Sequence, residues 1–595
     1  MLKELVAYGN ELISKGEMLF PGYRFFSEKN PIDWILHIDR DGKLLYEPEK
    51  VEIIKPRPHR QRSGKPGPKN LKPYLLVDEA RYVLGISEPG REQETELLHA
   101  GFLDLLKEAY KVTRAPYLTP ILEFIENHLD RMRLAQVIGP KDVVTFKVGD
   151  VPYPFERREM QEFWADYISE ECSSGLYGQC SICGGYRILT QTIPKQVFVL
   201  NQACQITSFN LDSFCSFGKS QTLNASICIE CGLMAAQTLE HLLSSSKHSA
   251  ILARDDTKSG DSNALRNQIA VFWLTKEIAP ISVDDKVVNI FDVLRSPLSD
   301  RLEVGIDTSL NLIQQSMKVP WSGGGLPNLD LSEFCLAVVS ANKARLVVRE
   351  WMTVPVRSSL ENLLRYVEGL QIIGPRGEDP KALAINEIMR TLGVSNPNIL
   401  RGLLRTAYLG YPVPPGTLES SVRRMRVVAQ RTSKEFQKSR EYHVIASATK
   451  LAMTYGRKEA KTLQELDVNR DNPAYLCGRL LAVLEEVQRR ASASKLNVTV
   501  VERFFGAAST SPITVFPGLL RLAETAHLPK LRKKGSGFQQ MRILIQDICA
   551  QMDKQFPVTL TLKEQGEFVL GFYHQRASFE KERAARFQAK AVPED

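Results

Sequence analysis

The sequence predicts an α+β protein: a mixed α/β N-terminal region carrying an inserted zinc-ribbon-like lobe, then an all-α helical bundle. Three observations predict it. Strand-like apolar runs such as Val143–Val148 and Ala270–Leu274 alternate with helical spacing in the first part of the chain, and from Asn362 onward helical patterns take over. Two Cys-x-x-Cys-Gly units, Cys180-Ser-Ile-Cys183-Gly and Cys228-Ile-Glu-Cys231-Gly, stand 44 residues apart. At 595 residues the chain exceeds what one core can organise, and about 150 residues per domain gives roughly three or four domains. The expected division is an α/β region over 1–170, the clamped lobe over 171–250, the remaining α/β region over 251–395 and a helical region over 396–595, bundled from about 453.

Taken in order, Leu2, Leu5, Val6, Tyr8, Leu12 and Ile13 have the spacing of a first helix. Trp34–Asp39 and Lys43–Tyr46 flank Arg40-Asp-Gly42, and Asp-Gly between apolar runs predicts a hairpin. Lys55 to Lys72 then holds seven Lys/Arg, four prolines, two glycines and no acid. That composition forbids helix and central strand, so it predicts a mobile basic loop, with Lys55, Arg57, Arg60, Arg62, Lys65, Lys69 and Lys72 as candidate phosphate contacts. A solvated linker is the alternative. Ordered structure resumes at Pro73–Asp78 and in a short helix or strand at Ala80–Gly85; helices are expected over Glu94–Ala109, Thr119–Leu134 and Glu159–Ile168, with a strand at Val143–Val148.

The cysteine units carry the most specific chemistry. Two thiolates two residues apart grip one edge of a metal ion, and the following glycine allows the positive φ that turns backbone N–H groups toward sulfur. Cys180, Cys183, Cys228 and Cys231 together make a tetrahedral Cys₄ set for a structural Zn²⁺, with no position left open for water. Buried thiols, a redox pair or an iron–sulfur cluster are the alternatives. Between the units lie a strand at Gln196–Leu200 and a polar segment from Ser208 to Asn224. Gly218-Lys-Ser220 lacks the glycine five positions earlier that a phosphate-binding P-loop needs, since position 213 is serine. Ser244-x-x-Lys247 stands without the partner motifs of the serine enzymes that use this pattern.

Further on, Ala270–Leu274 reads as a strand, and Ala337–Val339 and Arg345–Trp351 as sheet or helix-edge elements. Asn472-Pro473 is a helix start, cap followed by proline in the first turn, and Leu476, Leu480, Val483, Leu484 and Val487 form one core stripe after it. Helices are expected over Val515–Leu522, Phe538–Met552 and Glu564–Gln588, with a basic connection that includes Lys530, Arg532, Lys533 and Lys534. The net charge is +8, and Met453 to Asp595 holds 22 Lys/Arg against 16 Asp/Glu. A basic C-terminal quarter implies a polyanionic partner or a solvated helical face. No apolar run reaches the ~18 residues that span a membrane, and the start of the chain lacks the apolar core of a signal peptide, so a cytoplasmic setting with unpaired or metal-bound cysteines is expected.

Five segments together resemble the large subunit of type I-C CRISPR surveillance complexes (Cascade). They are Leu71–Ile86, Ser208–Asn210 with Ser216–Ala225, Asn472–Glu485, Phe504–Pro512 and Gly566–Arg576, spread over nearly the whole chain. The resemblance implies a non-enzymatic subunit near the 5′ end of the guide CRISPR RNA, beside the backbone and 5′-handle-binding subunits. It implies recognition of the protospacer-adjacent motif in double-stranded target DNA, support of the R-loop, and hand-over of the displaced strand to a helicase-nuclease. Under that reading the 55–72 loop is the candidate for duplex contact or wedging. Asn210, Lys219, Gln221 and Asn224 are candidates for base edges or phosphates, internal hydrogen bonding of the loop being the alternative. The resemblance also implies small-subunit partners, with Met453 placed to start a separate 143-residue product. A metal-dependent nuclease is the competing class, but the nine histidines include no adjacent His-Asp pair; a guide-independent zinc-ribbon nucleic-acid binder is the other.

Overall fold

Leu5, Gly9 and Leu12 line one face of the first helix, α1 (Leu2–Ser14), as its spacing predicts. The computed structural model describes residues 1–18, 31–55, 57–58, 62, 71–151, 153–193, 197–209, 211–253, 267–283, 286–298, 331–342, 344–378, 383–394, 396–431, 435–457, 463–492, 498–535, 537–552 and 555–591. These form two compact units, Met1–Ser245 with Ala341–Val347, and Ser246–Ser340 with Val348–Asp595. Sheets sit in the first part of the chain and helices dominate the last, the α+β class that the patterning predicts.

In the first unit, β1 (Ile32–Ile38), β2 (Glu49–Ile53), β3 (Val77–Glu79) and β4 (Val143–Val148) make one sheet in the order β2-β1-β4-β3. Ile32, Trp34, Leu36 and Ile38 enter one core with Val144, Phe146 and Val148, the period-two face of a half-buried sheet. β1 runs parallel to β4, Trp34 opposite Val144 and Ile38 opposite Val148, and a parallel pair requires a long connection. Part of that connection is helical: α2 (Ala80–Val83), α3 (Glu92–Thr113), α4 (Leu118–Glu123) and α5 (Arg131–Leu134). The helix α6 (Arg158–Cys172) then leads to two small hairpins, β5 (Ser173–Gln179) with β6 (Tyr186–Thr190) and β7 (Val197–Val199) with β8 (Gln202–Cys204), and to helix α7 (Ile229–Ser244).

Two local expectations fail here for identifiable reasons. The turn after β1 forms, its Asp39 side chain accepting from the N–H groups of Asp41 and Lys43, but the return strand shrinks to a single bridge between Ile38 and Leu44. Pro48 follows and has no N–H to extend that ladder, so β2 takes the edge of β1 instead. The helix expected over Thr119–Leu134 breaks: after α4 comes one π-helical turn, Phe124–His128, then extended Leu129. Asp130 restarts the chain as the cap of α5, accepting from Arg133 N–H at 3.0 Å.

The second unit begins with an antiparallel sheet of β9 (Ser249–Ala253), β10 (Gln268–Leu274), β13 (Glu333–Asn342) and β14 (Arg345–Pro355), in the order β14-β13-β10-β9. A separate hairpin, β11 (Ile281–Val283) with β12 (Lys286–Val288), and helix α8 (Ile290–Arg295) lie between β10 and β13 in sequence. Every residue of β10 is buried, so from Ile269 to Leu274 it reads as a continuous apolar run without alternation. Eleven helices follow, among the described residues: α9 (Val356–Leu370), α10 (Ile385–Leu392), α11 (Pro397–Leu409), α12 (Gly416–Ala429), α13 (Glu435–Thr454), α14 (Pro473–Ala491), α15 (Val500–Ala508), α16 (Pro512–Leu522), α17 (Leu528–Lys533), α18 (Phe538–Gln551) and α19 (Leu562–Ala591). The basic connection expected at Lys530–Lys534 is mostly α17, because Leu528 and Leu531 are buried and anchor it as a short helix. Asn472 caps α14, accepting from Ala474 and Tyr475 N–H, and the stripe from Leu476 to Val487 is buried.

The core of this unit holds two histidines in neutral form. Burial pushes His443 down to about 4 and His574 down to about 3. His443 Nδ1 meets the Tyr573 hydroxyl at 2.8 Å and His574 Nδ1 meets that of Tyr475 at 2.9 Å. The unfolded imidazole titrates near 6.5 and takes up a proton that the folded state refuses, so stability is complete above about pH 6.5 and falls as pH drops toward 4. Each unit of depression is worth about 1.4 kcal/mol at full effect. Denaturant midpoints followed from pH 7 to pH 4.5 should therefore fall steeply, and a His574→Asn variant should show a flatter profile; equal slopes in the two proteins would contradict this assignment.

Candidate metal centre and nucleic-acid interface

The first cysteine unit follows β5 directly. Cys180 accepts, at its carbonyl, the N–H of Gly184 at 2.9 Å, and donates its own N–H to the Gly185 carbonyl at 2.9 Å, closing a tight turn in which Gly184 adopts φ +73°. That left-handed position suits glycine. The second unit opens α7: Cys228 is its cap residue and Cys231 lies in its first turn, at the positive end of the helix dipole that favours thiolate. Ile182 and Cys228 each donate a backbone N–H to Cys180 Sγ, at 3.4 and 3.3 Å. The four Sγ atoms lie within 4.8 Å of one another, a spacing that a slight contraction brings to the roughly 3.8 Å edge of a ZnS₄ tetrahedron with ~2.3 Å bonds. Cys180, Cys228 and Cys231 are buried and Cys183 is exposed. The Cys228 thiol is held below its usual range by hydrogen bonding with Cys231, whose own thiol is pushed up as the donor of the pair. Four soft donors so placed could hold a metal ion, and a thiolate set of this kind suits zinc.

The core of the centre extends to Ile227 and is flanked by Leu2 and Val6 of α1. α1 and α7 approach so closely that a Cβ on Gly9 would lie 2.2 Å from Thr238 Oγ1 and 2.6 Å from Met234 Sδ. The segment before the second cysteine unit is sewn to the first: Ser181 donates its N–H to Ser226 O at 2.8 Å and its hydroxyl to Ala225 O at 2.8 Å, and Thr190 N–H donates to Ile227 O at 2.9 Å. Above this foot, Asn224 braces the polar loop, accepting Ser216 N–H and donating to the carbonyls of Lys219 and Gln221, each at 3.0 Å. Asn224 thus uses its amide inside the loop, the alternative weighed for it from sequence. Lys219 and Gln221 are exposed, Lys219 Nζ reaching Ser226 Oγ at 3.4 Å; Asn210 lies outside the described residues. A contribution invisible to spacing rules comes from far along the chain: the tip of the β13–β14 hairpin pairs here, Gln205 N–H donating to Ala344 O and Leu346 N–H to Gln205 O, and the Arg345 guanidinium lies 5.4 Å from the Phe214 ring centre. Phe214 and Phe217 carry no spacing signal of their own within this segment.

A family model for CRISPR-associated protein (Cas_Csd1) matches residues 5–580, spanning the cysteine centre, its loop and the helical region. The chain belongs to the Cas_Csd1 family of CRISPR-associated proteins. No curated protein matches it.

In this Cas_Csd1 chain the described cations of the expected basic loop are Lys55, Arg57, Arg62 and Lys72. Arg57 is only 2% exposed. Arg62 stacks between Tyr74 and Tyr82, 3.7 and 4.0 Å from their ring centres, pairs with the fully buried Asp78, and donates to Lys72 O at 2.8 Å. Burial works against the Arg62 charge and Asp78 more than compensates, raising its pKa. Lys55 pairs with Glu156 at 2.9 Å and sits over the Tyr153 ring at 4.1 Å. Arg57 is thus buried and Arg62 is paired within the unit. Arg60, Lys65 and Lys69 lie outside the described residues. In the helical unit Lys530, Arg532 and Lys533 are exposed on α17, whereas Lys534 donates to the carbonyls of Arg490 and Ser492 at 3.2 and 2.9 Å, closing the C-terminal end of α14. Among the described residues no helix is long and apolar enough to cross a membrane.

Proposed function

We propose that this Cas_Csd1 protein is the non-catalytic large subunit of a type I-C RNA-guided surveillance complex. It recognises the protospacer-adjacent motif in double-stranded DNA, supports R-loop formation and recruits a helicase-nuclease in the cytoplasm. The observation that carries the reading is the family match over residues 5–580, joined to a Cys₄ set that braces an exposed loop. Zinc is the metal proposed for that set, in a scaffold role. Lys219 and Gln221 on the loop, and Lys530, Arg532 and Lys533 on α17, are the cations and amide proposed to meet nucleic acid, with the 55–72 segment as a further duplex contact. The partners proposed are the guide RNA, target DNA, the backbone and 5′-handle-binding subunits, small subunits and the nuclease. The four-part division at 170, 250 and 395 is kept as a working map of these roles.

Met453 lies one residue before the end of α13, so a product begun there would carry α14 to α19 and the basic surface of α17. We propose it as the start of a separate small subunit; a Met453→Leu gene that still yields the short polypeptide would refute that. For the main reading, co-expression with guide RNA and the other subunits should place this chain in the RNA-containing particle and confer motif-dependent target binding. A chain that binds DNA equally well alone and stays outside the particle would instead support a guide-independent binder, and magnesium-dependent cleavage by the pure chain would support a nuclease.

A further inference from the structure

The loop braced by Asn224 displays one side chain that its packing does not explain. Phe217 is 98% exposed and holds φ +54°, a left-handed conformation that an aromatic residue rarely adopts. Gln221 and Ser226 in the same loop also stand at positive φ, each +48°. Outlying backbone concentrated in one loop and held by a rigid frame is a recurring mark of functional segments. The frame here is specific: besides the Asn224 brace, Lys219 N–H donates to Ser216 O at 3.0 Å, closing the turn whose apex is Phe217-Gly218. A Cβ placed on Gly218 would meet nothing within 4 Å, so the apex stands clear of the other described residues.

The chemistry around the ring selects its partner. From Ser213 to Ile229 the only Lys, Arg, Asp or Glu is Lys219, and the flanking residues are serine and glycine. A protein partner is usually met by a contiguous apolar patch. Leu211 and Phe214 of the same loop are also exposed, but Phe214 already faces the Arg345 guanidinium, and at the apex the ring of Phe217 has only serine, glycine and one lysine beside it. A nucleobase instead needs one flat aromatic face, and the phosphate beside it needs one cation. We infer that Phe217 is a base-stacking finger that inserts against a nucleobase of the target DNA, with Lys219 on the neighbouring phosphate. The inference rests on the proposed role in target recognition and adds the residue that enters the stack. An exposed aromatic wedge of this kind partly unstacks a base step and holds it open.

The test uses the guide-loaded complex assembled with the full chain and a target carrying 2-aminopurine in the pairs flanking the guide-complementary stretch on the motif side. Phe217→Ala should slow the fluorescence rise that reports unstacking by about tenfold or more, the scale of one lost base–aromatic stack. The same variant should bind a target already mismatched at those pairs as wild type does, and Phe217→Tyr should open the duplex normally. Opening at the wild-type rate by Phe217→Ala overturns the finger while leaving the target-recognition reading intact. Equal impairment on the mismatched target, or loss of the chain from the particle, overturns it in favour of a protein-facing role. A wild-type chain that never enters the particle overturns the recognition reading and the finger together.

Discussion

Replacing Gly571 by alanine should destabilise the helical unit by about 3 kcal/mol, the upper range for overpacking a core, and valine should do worse. Helix propensity alone argues the other way, since alanine in place of a mid-helix glycine gains about 1 kcal/mol. Sterics decide the sign. A Cβ on Gly571 would lie 2.1 Å from the Tyr475 carbonyl oxygen and 2.9 Å from its carbon, and one on Gly478 would lie 2.1 Å from Phe568 O and 2.8 Å from Phe572 N. All four are backbone atoms, which no rotamer change can move aside. α14 and α19 would have to part, opening the core around Tyr475, Phe568 and Phe572, which are at most 3% exposed together with their neighbour Tyr573. Gly518→Ala in α16 is the control, because no described residue lies within 4 Å of its Cβ position, and it should be neutral or slightly stabilising. Thermal midpoints of the three proteins check the argument; an unchanged midpoint for Gly571→Ala would mean that the two helices do not cross as described.

The second large effect is expected at the cysteine centre. Replacing Cys228 and Cys231 by serine removes two of four thiolates, and metal binding at such sites is worth about 10 kcal/mol or more of folding free energy in small zinc domains. The double variant should bind no zinc and should expose the 205–228 segment to protease, since Ser226, Ala225 and Ile227 lose the frame that positions their hydrogen bonds to Ser181 and Thr190. The unit containing α14 and α19 has its own core and should keep its helical signal and unfolding midpoint. Wild-type protein without bound metal after purification in zinc-containing medium would contradict the assignment.

How much of this was legible in the sequence depended on the range of the forces involved. Asn472-Pro473, the stripe from Leu476 to Val487 and the strand Val143–Val148 could be read because caps, helical spacing and β-branched runs act over a few residues. The cysteine units could be read because metal geometry dictates their internal spacing. The pairing of Gln205 with Ala344 and Leu346 could not, since nothing local announces a strand edge some 140 residues away. Nor could the inward turn of Arg57 and Arg62: composition counts charge, but only the fold assembles Tyr74, Tyr82 and Asp78 into a box around a guanidinium. The polar loop was legible as a candidate interface, yet which side chains brace it and which face outward is decided by φ values and hydrogen bonds. There Asn224 is the brace and Phe217 stands exposed.

The central claim, that a metal-clamped lobe presents a loop to target DNA, meets its most direct test in target affinity measured with and without the metal. Guide-loaded complexes containing wild-type chain or Cys228→Ser/Cys231→Ser, matched for subunit content, should differ by about a hundredfold or more in affinity for a duplex target bearing the adjacent motif, as loss of one or two well-placed contacts implies. Zinc content should fall from one ion per chain to none in the same variant. Equal affinity in the absence of metal would contradict the account, leaving the cysteines as a fold support with no part in holding the loop to DNA.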